Sequence, residues 1–248
     1  MTIDWTSFTD DPTNWGSYLK MSEYINKIRK PLPDNNYIEL LIKFVKGKRV
    51  LDLGCVEHTL TRTTKSEWKF GLINKNADYV LGIDILEKLV KELKEKGFNI
   101  KCLDATSDIN LGEKFDVIHI GDLIEHVDNV KSLLLFAKRH LSKNGFVVIH
   151  TPNPQHFNYF SQSNQIGSCP QNLEHCSFIV PFNMIELCRR VSLNFKEYYV
   201  HYPLGFTLKG LKRIITLLKM KKFNHVYHEL FGNQATYTSD FTYVISLN

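Results

Sequence analysis

The 248-residue sequence has no run of eighteen apolar residues and no basic-then-apolar segment behind Met1-Thr2-Ile3-Asp4. Neither a membrane-spanning helix nor a secretory leader is expected, and the reading is a cytoplasmic protein. Cysteine is sparse. Cys55, Cys102, Cys169, Cys176 and Cys188 make an odd number with no Cys-x-x-Cys pair. That speaks against a disulfide framework and favours reduced thiols that mostly pack as small hydrophobes. Gly-x-Gly-x-x-Gly is missing, which weakens any reading as an NAD-dependent dehydrogenase. A net charge of +5 is mild and gives no argument for nucleic acid.

What is present is a series of short apolar runs, each closing on polar chemistry. Val50-Leu51-Asp52-Leu53-Gly54-Cys55 comes first, then Tyr79–Asp84 and Ile100–Asp104, followed by Phe115–Asp122 and Gly145–His150. Runs of this kind read as parallel strands buried on both faces, with helical segments between them. Open α/β sheets bind ligands at the carboxyl ends of such strands. A glycine such as Gly54 is needed where backbone turns sharply or approaches a ligand. An acid after the second strand, here Asp84, suits ribose hydroxyls. At 43% hydrophobic content the chain can bury one full core.

Taken in order and spacing, VLDLGC (Val50–Cys55), LGIDI (Leu81–Ile85), LDA (Leu103–Ala105), FDVIHIGDLIEHV (Phe115–Val127) and LSKNGFVVIHTPN (Leu141–Asn153) resemble the class I S-adenosylmethionine-dependent methyltransferases. The resemblance covers about Val50 to Asn153, with a weaker tail through Glu174-His175. It implies a Rossmann-like seven-stranded sheet, mostly parallel with an antiparallel last strand and helices on both faces. It also implies S-adenosylmethionine as cofactor. Asp52 and Gly54 would shape the methionine side, Asp84 the ribose and Asp104 the adenine, with Cys55, Ile85, Ala105, Gly121 and Asp122 as further cofactor-binding residues. Most of the family continues the first motif as Gly-x-Gly, whereas here Cys55 is followed by Val56-Glu57-His58. A subset associated with sugar and glycan pathways is similar in its Cys-Val-x-His start and in a downstream tryptophan like Trp68. It implies O-methylation of a small molecule or glycan, a sugar hydroxyl above all.

Candidate chemistry lies at Asp122, Glu125 and His126. A helix starting just after Gly121 would put the three on one face. His126 is then a candidate general base, with a carboxylate, Glu125, to orient it, and His175 faces it from the Glu174-His175 step. A divalent ion on Asp122, Glu125 and His126 is the alternative, as in quinone-pathway O-methyltransferases that resemble this stretch with Glu-x-x-Glu-His. Asp122 is one methylene shorter in the first slot, so no metal is assigned. The third reading leaves Glu125-His126 to cap and orient its loop.

Around this centre, residues 1–34 read as an aromatic N-terminal arm and 35–248 as the methyltransferase domain. An insert at about 202–238 contains a basic amphipathic helix, Thr207–Phe223, with six lysines and arginines and no acid. Such a helix suits a peripheral membrane surface or an anionic carrier, or packs on the core with a solvated basic face. Two rival functions are an RNA methyltransferase, which would want an appended RNA-binding motif, and a non-catalytic cofactor-binding partner subunit, prompted by the missing Gly-x-Gly.

Overall fold

The computed structural model describes residues 3–32, 36–57, 59, 67–156, 159, 167, 172–201 and 239–248. The insert at 202–238, His58 and most of the loop after Pro154 lie outside the described residues.

The apolar runs form strands as expected. The chain alternates α1 (Trp15–Ile28), β1 (Arg29–Leu32), α2 (Tyr37–Val45), β2 (Arg49–Leu53), α3 (Lys69–Asn76), β3 (Tyr79–Asp84), α4 (Glu87–Glu95) and β4 (Ile100–Cys102). It continues through β5 (Phe115–Gly121), α5 (Val130–His140), β6 (Leu141–Pro152), α6 (Pro181–Val191), β7 (Leu193–His201) and β8 (Asp240–Leu247). The strands make one sheet in the order β1-β7-β8-β6-β5-β2-β3-β4. Every pairing is parallel except those of β8, which runs antiparallel to β6 and β7.

This sheet has eight strands where seven were expected, because the N-terminal segment is more than an arm. Arg29–Leu32 adds a parallel edge strand beside Tyr198–His201. Pro31 is tolerated there because an edge strand has a side that needs no ladder bond. Ahead of it, Asn14 caps α1 by accepting from the Ser17 N–H. Met21 and Ile25, one helical turn apart, enter the core.

Alternation along each strand feeds two apolar layers. Leu51, Leu53, Ile118 and Ile120 face α1, α5 and α6, while Val50, Val80 and Val117 face α2, α3 and α4. His140, in the last turn of α5, is a satisfied core histidine: its Nδ1 lies 2.8 Å from the Phe136 carbonyl and its Nε2 accepts from the Leu111 N–H. No helix among the described residues is long and apolar enough to cross a membrane.

Candidate active site

A cavity of about 290 Å³ opens at the carboxyl ends of β2, β5 and β6. The parallel order of β3, β2 and β5 brings Gly54 and Gly121 to its wall. Gly54 has φ +74°, and a side chain there would press on Leu123 at 3.1 Å. A Cβ on Gly121 would stand 2.5 Å from the His119 ring. Both glycines are therefore required by the close approach of their neighbours.

The turn after Gly54 is held without a second glycine. Gly54 N–H donates to the Ile83 carbonyl, and Val56 N–H donates to the Asp84 carboxylate at 2.9 Å. The other Asp84 oxygen accepts from the Leu86 N–H at 3.0 Å. Trp68, just before α3, donates its indole N–H to the Cys55 carbonyl at 3.2 Å. Burial raises the Cys55 thiol well above its ordinary value, so that residue acts through its backbone and its packing.

Beneath the cavity lies a buried polar row that crosses five strands. Asp52 accepts from His119 Nδ1 at 2.6 Å, and His119 Nε2 lies 2.6 Å from the Tyr37 hydroxyl. Tyr37 stacks on His150, with ring centroids 3.9 Å apart. The Thr242 hydroxyl sits between His150 Nδ1 at 3.1 Å and His201 Nε2 at 2.7 Å. Burial pushes His150 well below its ordinary pKa and His201 down to about 4, and raises the Tyr37 phenol. Those three groups are uncharged at neutral pH.

The opposite wall is built differently. No helix forms after Gly121. Asp122 takes φ +53°, its N–H donates to the His150 carbonyl, and Leu123–His126 closes a turn. Asp122 thereby faces the Lys69 ammonium, with which it forms an ion pair, and His150 Nε2 at 3.8 Å. Burial raises the Asp122 carboxyl, but its cationic surroundings, the Lys69 ammonium among them, outweigh burial and hold it below the usual range. Glu125 is buried and accepts from the Thr151 hydroxyl at 3.0 Å. Burial, then the Asp122 charge, raises the Glu125 carboxyl to about 7.

A second segment hangs from the Glu125 carbonyl, which accepts from Cys176 N–H at 2.9 Å and Ser177 N–H at 3.1 Å. Those bonds bring His175 edge-on to His126, centroids 4.7 Å apart, and leave the Glu174 carboxylate 3.9 Å from His126 Nδ1. The potential donor atoms of Glu125, His126 and His175 all lie within 4.8 Å of one another. Asp122 is not part of this group; His175 stands where the sequence spacing had put Asp122.

Of the sequence-derived residues, Asp52, Gly54, Cys55, Gly121, Asp122, Glu125, His126 and His175 line the cavity. Asp84, Ile85, Asp104 and Ala105 do not line it. They lie at and just past the ends of β3 and β4, Asp84 reaching the cavity wall through Val56. Ile85 is 68% exposed, and Asp104 closes a local turn by accepting from the Thr106 N–H and hydroxyl, both at 2.7 Å. Sequence reasoning missed Lys69, His119 and Tyr37. A histidine inside the apolar Phe115–Ile120 run was the available signal for His119, since a buried polar group demands a partner.

The comparisons agree with this architecture. Residues 24–197 match the family model described as "Methyltransferase domain". A ubiquinone biosynthesis O-methyltransferase of Rickettsia conorii is 24% identical over 182 residues, covering 69% of this chain; the chain spans only 60% of that relative's length. An S-adenosylmethionine-dependent methyltransferase structure from Archaeoglobus fulgidus superposes with TM-score 0.55 at 19% identity, covering 93% of this chain and 99% of the other. A magnesium protoporphyrin IX methyltransferase from Synechocystis, solved with S-adenosylhomocysteine bound, gives TM-score 0.50 at 12% identity over 97% and 90%. The chain belongs to the methyltransferase-domain family and carries the fold of the S-adenosylmethionine-dependent methyltransferases.

Proposed function

We propose that this protein transfers a methyl group from S-adenosylmethionine to a hydroxyl oxygen of a small molecule or glycan, with His126 as the general base. The observation that carries the reading is the meeting of Glu125, His126 and His175 on the wall facing Gly54 and Gly121. When bound, the cofactor supplies an already activated methyl group, so the protein's task is alignment and proton removal. The turn at Gly54–Val56, which borders the cavity, would hold the amino-acid end. Asp84 sits beyond it for the ribose hydroxyls, with exposed Ile85 next to it in the chain, and exposed Asp104 flanks the adenine position. His126 takes the acceptor's proton on a ring nitrogen, with Glu174 near Nδ1 to favour the charged ring that results.

The acceptor side is lined by Glu125, His126, Asn172, His175 and Asp240, groups that hydrogen-bond. That lining, with the Cys-Val-x-His start, supports a polyhydroxylated acceptor, and a sugar hydroxyl is the favoured target. The names of the curated relatives support methylation at oxygen. The reading is tested by mass spectrometry of products from a panel of free and carrier-linked sugars and catechols with labelled cofactor. Labelled methyl on a sugar oxygen is the expected outcome; label on catechols alone would move the acceptor to phenols. Cofactor binding without any product would leave a non-catalytic partner subunit.

The cofactor half of the reading has its own measurement. Asp84→Ala should weaken binding of S-adenosylhomocysteine by about 2 kcal/mol, the scale of lost hydrogen bonds to a charged group. Unchanged affinity in calorimetry would remove Asp84 from the site.

A second reading rests on the compactness of the Glu125, His126 and His175 donors. A divalent ion held there would lower the acceptor hydroxyl's pKa and position it. Loss of activity on chelation, restored by a divalent ion, would replace the base reading with this one.

A further inference from the structure

Among the described residues that line the cavity, Lys69 is the one lysine or arginine, while five are acids: Asp52, Glu57, Asp122, Glu125 and Asp240. Among those residues Lys69 is the permanent counter-charge open to a carboxylate that enters. This residue opens α3, the helix that follows β2, and Trp68 before it offers no side-chain cap. The first N–H groups of an eight-residue helix thus add partial positive charge beside the ammonium. Lys69 also lies over the Tyr37 ring at 5.7 Å. Burial lowers its pKa, but Asp122, Glu57 and Asp52 together raise it further, so the ammonium stays charged.

The Asp122 partner is placed at a cost. Its φ of +53° is a left-handed conformation that a non-glycine residue adopts only under constraint, and such residues concentrate at binding sites. The conformation aims the Asp122 carboxylate at the Lys69 ammonium. One cation and one anion, adjacent and open to the same cavity, complement a zwitterion. An α-amino acid group can exchange with the pair, ammonium to Asp122 and carboxylate to Lys69, so that neither charge is left without a counter-ion during binding.

We propose that Lys69 is the anchor of the cofactor's α-carboxylate, a charged side chain used where most relatives of this fold place a second glycine. The assignment rests on the cofactor reading above. It explains how a chain with Val56-Glu57-His58 in place of Gly-x-Gly keeps a site for the amino-acid end.

The test compares two ligands by calorimetry on the whole protein: S-adenosylhomocysteine, and its decarboxylated analogue, which keeps the amine and lacks only the carboxylate. Wild type should favour the first by about 30-fold, the scale of a charge-assisted hydrogen bond. Lys69→Met should erase that preference by weakening S-adenosylhomocysteine about 30-fold and the analogue less than about threefold. Lys69→Arg should recover most of it. Equal affinity of wild type for both ligands overturns the assignment even if Lys69→Met fails to fold, as does an equal loss for both ligands in Lys69→Met. Wild type that binds neither ligand overturns the cofactor reading itself, and the assignment with it.

Discussion

Histidines meet this site in two groups that are held in different ways. His119, His150 and His201 stand on strands, buried, with ring nitrogens set against Asp52, Tyr37 and Thr242. His126 and His175 stand on turns, partly exposed, and meet only because Cys176 and Ser177 donate to the Glu125 carbonyl. In the first group the strand register fixes each partner, so the rings are satisfied and, for His150 and His201, kept neutral by burial. In the second group the rings border the cavity and face one another. The strand histidines are thus fixed by partners on neighbouring strands, whereas the loop pair borders the cavity where the proposed proton transfer takes place.

The sharpest way to break this division is to truncate one member of the loop pair. His126→Ala should lower turnover by roughly two orders of magnitude or more, with S-adenosylhomocysteine affinity and melting temperature preserved. Steady-state kinetics beside calorimetry decide it. A fully active variant would assign the loop pair to structure as well.

Next comes pH, where the two regions should pull in opposite directions. Glu125 is raised from 4.5 to about 7, so between those values the folded state holds a proton that the unfolded state has released. Its contribution to stability is therefore lost as pH rises through that window. His201 is lowered from 6.5 to about 4, so there the unfolded state holds the extra proton and stability is gained as pH rises. Each effect is limited to roughly 3 kcal/mol. Urea melts from pH 4.5 to 8 should show Glu125→Gln growing more stable relative to wild type as pH increases. Parallel curves for the two proteins would show that Glu125 titrates as an ordinary carboxyl.

The smallest effect belongs to the strand row. Thr242→Val removes the hydroxyl shared by His150 and His201, and should cost about 1 kcal/mol of stability, the net value of a buried hydrogen bond. Turnover at saturating cofactor should stay within about twofold. A collapse of turnover without a change in melting temperature would place the row in the chemistry and dissolve the division.

The order of strands was readable because a parallel strand buried on both faces must be apolar along its whole length, and the acid or glycine that ends it interrupts that run. Asp52, Gly54, Asp84 and Gly121 were visible for this reason. The helix expected after Gly121 was not formed, because Asp122 adopts a left-handed backbone and turns its side chain toward Lys69. The edge strand Arg29–Leu32 escaped notice because four residues containing Pro31 carry no alternation to read; pairing with β7 alone makes them a strand.

The local composition of the chain by itself determined a wound α/β sheet with polar groups at its carboxyl edge, since burial and side-chain period act over a few residues. It also determined that the first motif lacks its second glycine. How the chain around that motif is held was decided only by tertiary structure. Trp68 reaches back to the Cys55 carbonyl, and Lys69 crosses to Asp122. Glu125 and His175 become neighbours only when two backbone N–H groups bridge segments fifty residues apart. These contacts depend on register, on one left-handed residue and on chain closure, and none leaves a periodic trace in the residues that make it.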